Sequence, residues 1–326
     1  MNRYKIIKSI GEGGNGSVYL ARDTNTGKMV TIKRPKYGLE DLTNEAVVLS
    51  ELHHEGIPGV IDRFGDSVVL EYMPGKSLEK IISEEGLLTE KKTVDIAKEL
   101  LKILSYLHSR EVPVIYRDLK PANIVMKPDG HIALIDFGAA RFYSPQNDVD
   151  TVNLGTFGFA APEQYGNLGQ TDKRTDIYCF GMTLLQLMTG VDPKDSEKVL
   201  EIRQNGTRRV SGEFLAIIEK CIRTDRDDRY SDADEIFKDI KRYPIKRVVR
   251  KVMYLGKLAV AACLVSVVIS MAVSFVISVD IMIPDDLREF ITDDFNKRLP
   301  TLLERLGNAR SRIDGFVKNI MNGRLL

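Results

Sequence analysis

The residues most able to do chemistry lie in Val114-Ile115-Tyr116-Arg117-Asp118-Leu119-Lys120-Pro121-Ala122-Asn123 and, shortly after, in Asp136-Phe137-Gly138. Between the two stretches are the apolar runs Ile124-Val125-Met126 and Ile132-Ala133-Leu134-Ile135, separated by Pro128-Asp129-Gly130, which is strong hairpin-turn chemistry. A hairpin returns the chain to its starting end, so Asp136 is predicted beside Asn123 and, a few residues back, Asp118. Two carboxylates and an amide oxygen at one sheet edge, with Lys120 close by, suit a hydrated Mg²⁺ and the phosphates it bridges.

The elements that must position this set begin near the N-terminus. Residues 4–10, 17–22 and 28–33 read as strands, the last two joined by the turn-rich Asp23-Thr24-Asn25-Thr26-Gly27. The first two are joined by Gly11-Glu12-Gly13-Gly14-Asn15-Gly16. A G-x-G-x-x-G run alone fits a dinucleotide-binding turn or a plain glycine-rich hairpin equally well. A dinucleotide-binding turn opens a helix, whereas Ser17-Val18-Tyr19-Leu20 is strand-like, so the glycines lie between strands. Further on, Val68-Val69-Leu70-Glu71-Tyr72-Met73-Pro74-Gly75 is an apolar strand ending in turn residues. Residues 89–109 then place Val94, Ala97, Leu101, Leu104 and Leu107 on one face of a long helix.

The order R-D-L-K-P-x-N followed by D-F-G resembles the catalytic and metal-binding loops of eukaryotic-type (Hanks-type) bacterial serine/threonine protein kinases, here in a membrane-anchored form. The resemblance covers about residues 1–243 and implies an α+β, two-lobed protein kinase fold. A small β-rich N-lobe would occupy about 1–72 and a larger helical C-lobe about 73–243. It implies that Asp118 orients the attacking hydroxyl, Lys120 neutralises phosphate, and Asn123 and Asp136 hold Mg²⁺ or Mn²⁺. Gly11, Gly13, Gly16 and Val18 would cover ATP, and Lys33 of Val30-Thr31-Ile32-Lys33 would contact its phosphates. Leu70 would guard the back of the nucleotide pocket, with the backbone of Glu71 and Met73 facing adenine. Thr31 and Tyr116 depart from the usual Ala and His.

The family pattern asks for a Glu partner to Lys33, and Glu45 and Glu51 compete. Leu42, Ala46, Leu49 and Leu52 form the apolar stripe of that helix. At about 100° per residue Glu45 falls within the stripe and Glu51 opposite it, which selects Glu45. Residues 136–163 read as the activation segment, with Thr151 and Thr156 as phosphosite candidates and Thr151 favoured. Arg117 is a cation that could pair with a phosphorylated residue there. Glu163 of Ala161-Pro162-Glu163, Asp176 and Arg229 match structural positions of the family: Asp176 anchors the catalytic loop and Arg229 pairs with Glu163. Lys120, two places after Asp118, resembles the serine/threonine rather than the tyrosine kinases.

Composition places the chain among folded proteins: 326 residues, 43 % apolar, with 47 basic against 46 acidic residues. That balance gives no whole-chain case for nucleic-acid binding, and none is expected. Cys179, Cys221 and Cys263 are far apart and suggest neither a disulfide framework nor a zinc site. After Tyr243 the composition changes. A basic linker (244–257) leads to 22 residues without a charge, Leu258 to Val279, roughly 33 Å as a helix and enough to cross a bilayer. Basic residues precede the run and Asp280, Asp285, Asp286, Glu289, Asp293 and Asp294 follow it, so the kinase unit is expected in the cytoplasm and the 280–326 tail outside. The basic cluster faces anionic lipid in this reading. The tail repeats apolar residues at steps of four and three, as a short coiled coil or a membrane-surface helix would. Ala262, Ser266, Ser270, Ser274 and Ser278 recur every four residues, which would allow a weak homodimer through span and tail or, equally, hydroxyls bonded back along their own helix.

The expectation is therefore a single-pass membrane kinase that moves the γ-phosphoryl group of Mg-ATP to Ser/Thr hydroxyls of proteins and autophosphorylates. The rival is a kinase-shaped membrane scaffold or nucleotide-binding module without catalysis. A missing Lys33, Asp118 or Asp136 would favour it, and none is missing.

Overall fold

Strands β1 (Tyr4–Gly13), β2 (Gly16–Asp23), β3 (Met29–Arg34), β4 (Val60–Phe64) and β5 (Ser67–Glu71) form an antiparallel sheet in the order β1-β2-β3-β5-β4. The computed structural model describes residues 3–13, 16–35, 43–144, 155–165, 170–282, 297–301, 304–305 and 307. Its two compact units, Met1–Lys246 and Arg247–Leu326, are described separately. In the first unit, one small core lies on the sheet, with Ala21, Val30, Ile32 and Val69 buried against Tyr4, Tyr19 and Phe64. Helix α1 (Thr43–Ser50) buries Ala46, Val48 and Leu49 in the main core, while Glu51 just beyond it is exposed.

The rest of the first unit is mainly helical. Strand β6 (Lys76–Ser77) leads into α2 (Leu78–Glu85) and then α3 (Glu90–His108). Thr89 caps α3 by accepting the Lys92 amide at 3.3 Å, and Val94, Ala97, Leu101, Leu104 and Leu107 are all buried, as their spacing predicts. Strands β7 (Val114–Ile115), β8 (Ile124–Met126), β9 (Ile132–Leu134) and β10 (Arg141–Phe142) form two small sheets, β6-β8-β9 and β10-β7.

Helix α4 (Lys173–Thr189) is buried on nearly every side, which explains its lack of a polar face. Helices α5 (Ser196–Asn205) and α6 (Gly212–Cys221) follow. Gly181 permits α4 to approach α6: a Cβ there would lie 2.7 Å from the Cys221 Cβ and 2.6 Å from the Ile222 Cγ2.

Helix α7 is assigned from Ala233 to Met282 and passes through Pro244, which lacks the amide that would bond back to Ile240. In the second unit, Val252–Phe275 is 24 residues long with mean hydropathy 2.5, and none of its most apolar window is buried. It is long and apolar enough to cross a membrane, about 36 Å at helical rise. This stretch begins six residues before the uncharged run predicted from Leu258, because Val252, Met253, Tyr254 and Leu255 extend the apolar character across Lys257. The Ser278 hydroxyl donates to the Ser274 carbonyl at 2.9 Å, so at this position the hydroxyl serves its own helix. Residues 297–301 are helical; of the tail's repeat, only Leu299 falls among the described residues, and Phe295, Leu302, Leu306, Ala309, Ile313, Phe316 and Ile320 lie outside them.

Candidate active site

The loop that carries Asp118 hangs from one buried carboxylate. Asp176, in the first turn of α4, accepts the Tyr116 amide at 2.9 Å, the Arg117 amide at 2.7 Å and a bond with His108 Nε2 at 2.8 Å. A carboxylate with three partners can stay buried without an unsatisfied charge. Arg117 takes a left-handed backbone conformation (φ 67°), unusual for a residue with a side chain. Its carbonyl accepts the Gln164 side-chain amide at 2.9 Å and its Nε donates to the Ala139 carbonyl at 2.6 Å. The guanidinium is thus buried and engaged with the backbone just after Gly138. Residues 145–154 of the segment where its expected phosphate partner would sit lie outside the described residues.

Around Asp118 three side chains converge. Asn123 Nδ2 donates to Asp118 Oδ2 at 2.9 Å, Thr156 Oγ1 donates to Oδ1 at 2.7 Å, and Lys120 Nζ lies 2.9 Å from Oδ2. Lys120 also donates to Thr156 Oγ1 at 2.6 Å. Because the nitrogen of the Asn123 amide faces Asp118, its oxygen is turned to the other side.

Asp136 arrives there by the hairpin. Register Ile124↔Leu134 closes β8 on β9, and the Ile135 amide donates to the Asn123 carbonyl at 2.9 Å, one residue before Asp136. Asp136, also left-handed (φ 67°), accepts Lys33 Nζ at 2.8 Å. Lys33 reaches Glu45 Oε1 at 2.5 Å, and that oxygen takes the Phe137 amide at 3.0 Å. Burial alone would lower the Lys33 pKa, but the Glu45 and Asp136 carboxylates outweigh it and raise it. Burial would likewise raise the Asp136 pKa, and Lys33 overrides it downward. Both groups are held in their charged forms.

A divalent cation with bound phosphates fits this donor set. Asp136 supplies a carboxylate and Asn123 an amide oxygen, both hard ligands. Among the described residues no three of His, Cys, Asp and Glu cluster as a self-sufficient metal cage. Two protein ligands plus substrate phosphates is how Mg²⁺ is commonly held.

Gly13 pairs with Gly16, and Val18 sits opposite Lys33 across β2 and β3. Gly16 has φ 136°, and a Cβ there would fall 2.0 Å from the Arg34 carbonyl oxygen, so no other residue fits. A Cβ on Gly11 would meet Val18 at 3.6 Å, an ordinary contact. Thr31 pairs with Leu70, which is buried, and Val30 with the exposed Glu71; Met73 follows, half-buried.

The protein kinase domain model matches residues 4–241. The chain belongs to the protein kinase domain family. A probable serine/threonine-protein kinase of Clostridium acetobutylicum is 30 % identical over 263 residues, covering 73 % of this chain and 39 % of the relative. Serine/threonine-protein kinase D of Synechocystis is 32 % identical over 269 residues, covering 73 % and 51 %. PrkC of Bacillus subtilis, a serine/threonine-protein kinase, is 30 % identical over 262 residues, covering 73 % and 40 %. The chain thus spans about two-fifths to half the length of these relatives.

Within the kinase domain, Glu163 and Arg229 form a bidentate pair at 2.7 and 2.8 Å, and the Thr175 hydroxyl donates to Glu163 Oε1 at 2.8 Å. Thr156 is tied to Asp118 and Lys120, while Thr151 lies outside the described residues. Three participants escaped sequence reasoning. His108 and Gln164 act through contacts 68 and 47 residues away in sequence, and nothing local marks them. Tyr116, noted only as a departure, is fully buried: its hydroxyl donates to the Ile135 carbonyl at 2.5 Å and its ring meets Phe137 edge-on at 5.0 Å.

Proposed function

We propose that the protein is a membrane-anchored serine/threonine protein kinase that moves the γ-phosphoryl group of Mg-ATP to Ser/Thr hydroxyls of proteins, its own chain included. The observation that carries this reading is the simultaneous closure of two charged sets: Lys33 with Glu45 and Asp136, and Asp118 with Lys120 and Asn123. In phosphoryl transfer the protein does little covalent chemistry, and catalysis is mainly positioning and charge stabilisation. Lys33, held charged by its two carboxylates, would grip the α- and β-phosphates. Asp118 would accept a hydrogen bond from the incoming hydroxyl, aim it, and take its proton as transfer proceeds. Lys120 would stabilise charge on the transferred group. Asp136 and Asn123 would hold the Mg²⁺ or Mn²⁺, which supplies charge neutralisation on the phosphate oxygens. Gly11, Gly13, Gly16 and Val18 would cover the nucleotide, and Leu70 with the backbone of Glu71 and Met73 would bound its base.

The apolar stretch of α7 would cross the bilayer once. The basic side before it and the acidic side after it support a reading with the kinase unit in the cytoplasm and the C-terminus outside. A weak homodimer through span and tail is the finer part of this proposal, with about three neighbours among Ala262, Ser266, Ser270, Ser274 and Ser278 as the contact row. Incubating the purified protein with Mg-ATP and mapping phosphate by mass spectrometry tests the activity. Phosphoserine or phosphothreonine on the chain or on an added basic protein is the expected result. Phosphotyrosine alone, or nucleotide binding without any transfer, contradicts it.

A further inference from the structure

Gln164, directly after Ala161-Pro162-Glu163, is buried and joins three parts of the chain. Its Nε2 donates to the Arg117 carbonyl at 2.9 Å, its Oε1 accepts the Ala161 amide at 2.9 Å, and the Cys179 thiol of α4 lies 3.5 Å from the same oxygen. A backbone carbonyl at one end and a backbone amide at the other fix which way the side-chain amide is turned. Gly155 packs on the donating end: its φ is 140°, and a Cβ there would fall 2.7 Å from Gln164 Nε2 and 2.8 Å from the Ala160 Cβ.

These contacts close a ring around Asp118. Thr156 donates to Asp118 Oδ1 at 2.7 Å and follows Gly155, Gly155 rests on Gln164, and Gln164 holds the carbonyl of Arg117, the residue before Asp118. Arg117 is left-handed, a conformation that a residue with a side chain keeps only where its surroundings hold it. Asp176 holds the Arg117 amide at 2.7 Å from α4, while Gln164 holds the carbonyl. The peptide that leads into Asp118 is therefore oriented from the segment that carries Thr156.

We infer that Gln164 is a positioning residue for phosphoryl transfer: by gripping the Arg117 carbonyl while Gly155 rests against it, its side-chain amide sets Asp118 and Thr156 relative to each other. The inference rests on Asp118 acting as proposed above and adds one residue to that site. Gln164 acts through Asp118 and does not itself react. Lys33 and Asp136 hold each other independently of it, so the affinity for Mg-ATP should not depend on residue 164.

The test turns on Gln164→Glu, which exchanges the Nε2 donor for an oxygen. Ionised, that oxygen faces the Arg117 carbonyl with no proton to give; protonated, it restores a donor. The ionisable groups around the spot are Cys179, Asp118, Asp176, Glu163 and Arg229, with Arg117 itself. Burial and the three carboxylates favour the protonated form, and the two guanidiniums oppose it. Single-turnover transfer from saturating Mg-ATP, to the full-length chain itself or to an added basic protein, is followed from about pH 8 to about pH 5, with ATP affinity and thermal unfolding measured in parallel. Gln164→Glu should be about 10- to 100-fold slower than wild type at the alkaline end, and the ratio of the two should climb as pH falls. Gln164→Leu, which has no donor in any form, should be slow by a similar factor at every pH. ATP affinity should stay within a few-fold of wild type in both. A ratio independent of pH, or wild-type transfer by Gln164→Leu, overturns the role of the amide and leaves Asp118 as the base. Recovery that only follows the folded fraction, or transfer lost in step with ATP affinity, makes Gln164 a residue of the fold and overturns it too. Should Gln164→Leu fail to fold, the Gln164→Glu profile decides. A wild type that binds Mg-ATP and transfers nothing at any pH overturns the kinase reading and this role with it.

Discussion

Lys33 Nζ lies 2.5 Å from Glu45 Oε1, the oxygen that also accepts the Phe137 amide at 3.0 Å. One carboxylate thereby couples β3, α1 and the residue after Asp136, so the position of the lysine depends on a negative charge at residue 45. Glu45→Gln keeps the shape and removes the charge. Its kcat/KM for Mg-ATP should fall about 10- to 100-fold, the scale of one charge-assisted hydrogen bond. Circular dichroism should show the fold retained. Unchanged kinetics would mean that Lys33 is positioned by Asp136 alone.

Tyr116 joins the loop that carries Asp118 to the one that carries Asp136 through its hydroxyl on the Ile135 carbonyl. Burial raises its pKa well above the ordinary phenol, so it acts as a neutral donor at any working pH. Tyr116→Phe leaves that carbonyl without this donor, at a cost of about 1–3 kcal/mol. Thermal unfolding should shift down by several degrees, about 2–4 °C per kcal/mol at this size. A melting temperature equal to wild type would show that water or another donor replaces the hydroxyl.

Glu163 provides a pH prediction. Burial opposes its ionisation, but the Arg229 guanidinium outweighs burial and holds its pKa below the ordinary 4.5. A carboxylate depressed in the folded state contributes stability that is complete above its unfolded value, about 4.3, and is lost as pH falls through the folded value. Glu163→Gln should therefore be less stable than wild type in urea at pH 7, and the gap should narrow below about pH 4. A gap independent of pH would remove the linkage.

Gly181 tests packing separately from chemistry. A methyl group there would press on the Cys221 Cβ at 2.7 Å and the Ile222 Cγ2 at 2.6 Å. Gly181→Ala should destabilise by about 1–3 kcal/mol as overpacking does. The KM for ATP should not move, and a variant as stable as wild type would show that α4 and α6 separate easily.

What could be read from the chain was whatever local chemistry specifies. Thr89 and the apolar spacing after it bounded α3, Pro128-Asp129-Gly130 announced the hairpin that carries Asp136 back, and helical phase singled out Glu45 over Glu51. What could not be read depends on the tertiary fold. His108 and Gln164 look like ordinary residues until α3 and the turn at residue 164 are packed against the catalytic loop. Arg117 was legible as a cation but not as a buried one, because its left-handed backbone turns it toward the Ala139 carbonyl.

The central claim is that Asp118, held by Asn123, Lys120 and Thr156, directs a hydroxyl to phosphate. Single-turnover phosphoryl transfer from Mg-ATP by Asp118→Asn, at saturating nucleotide and with ATP affinity measured in parallel, tests it most directly. The account predicts transfer slowed by about 10²- to 10⁴-fold, the range for loss of a positioned base, with ATP binding within a few-fold of wild type. Transfer within a few-fold of wild type, at unchanged ATP affinity, would contradict it.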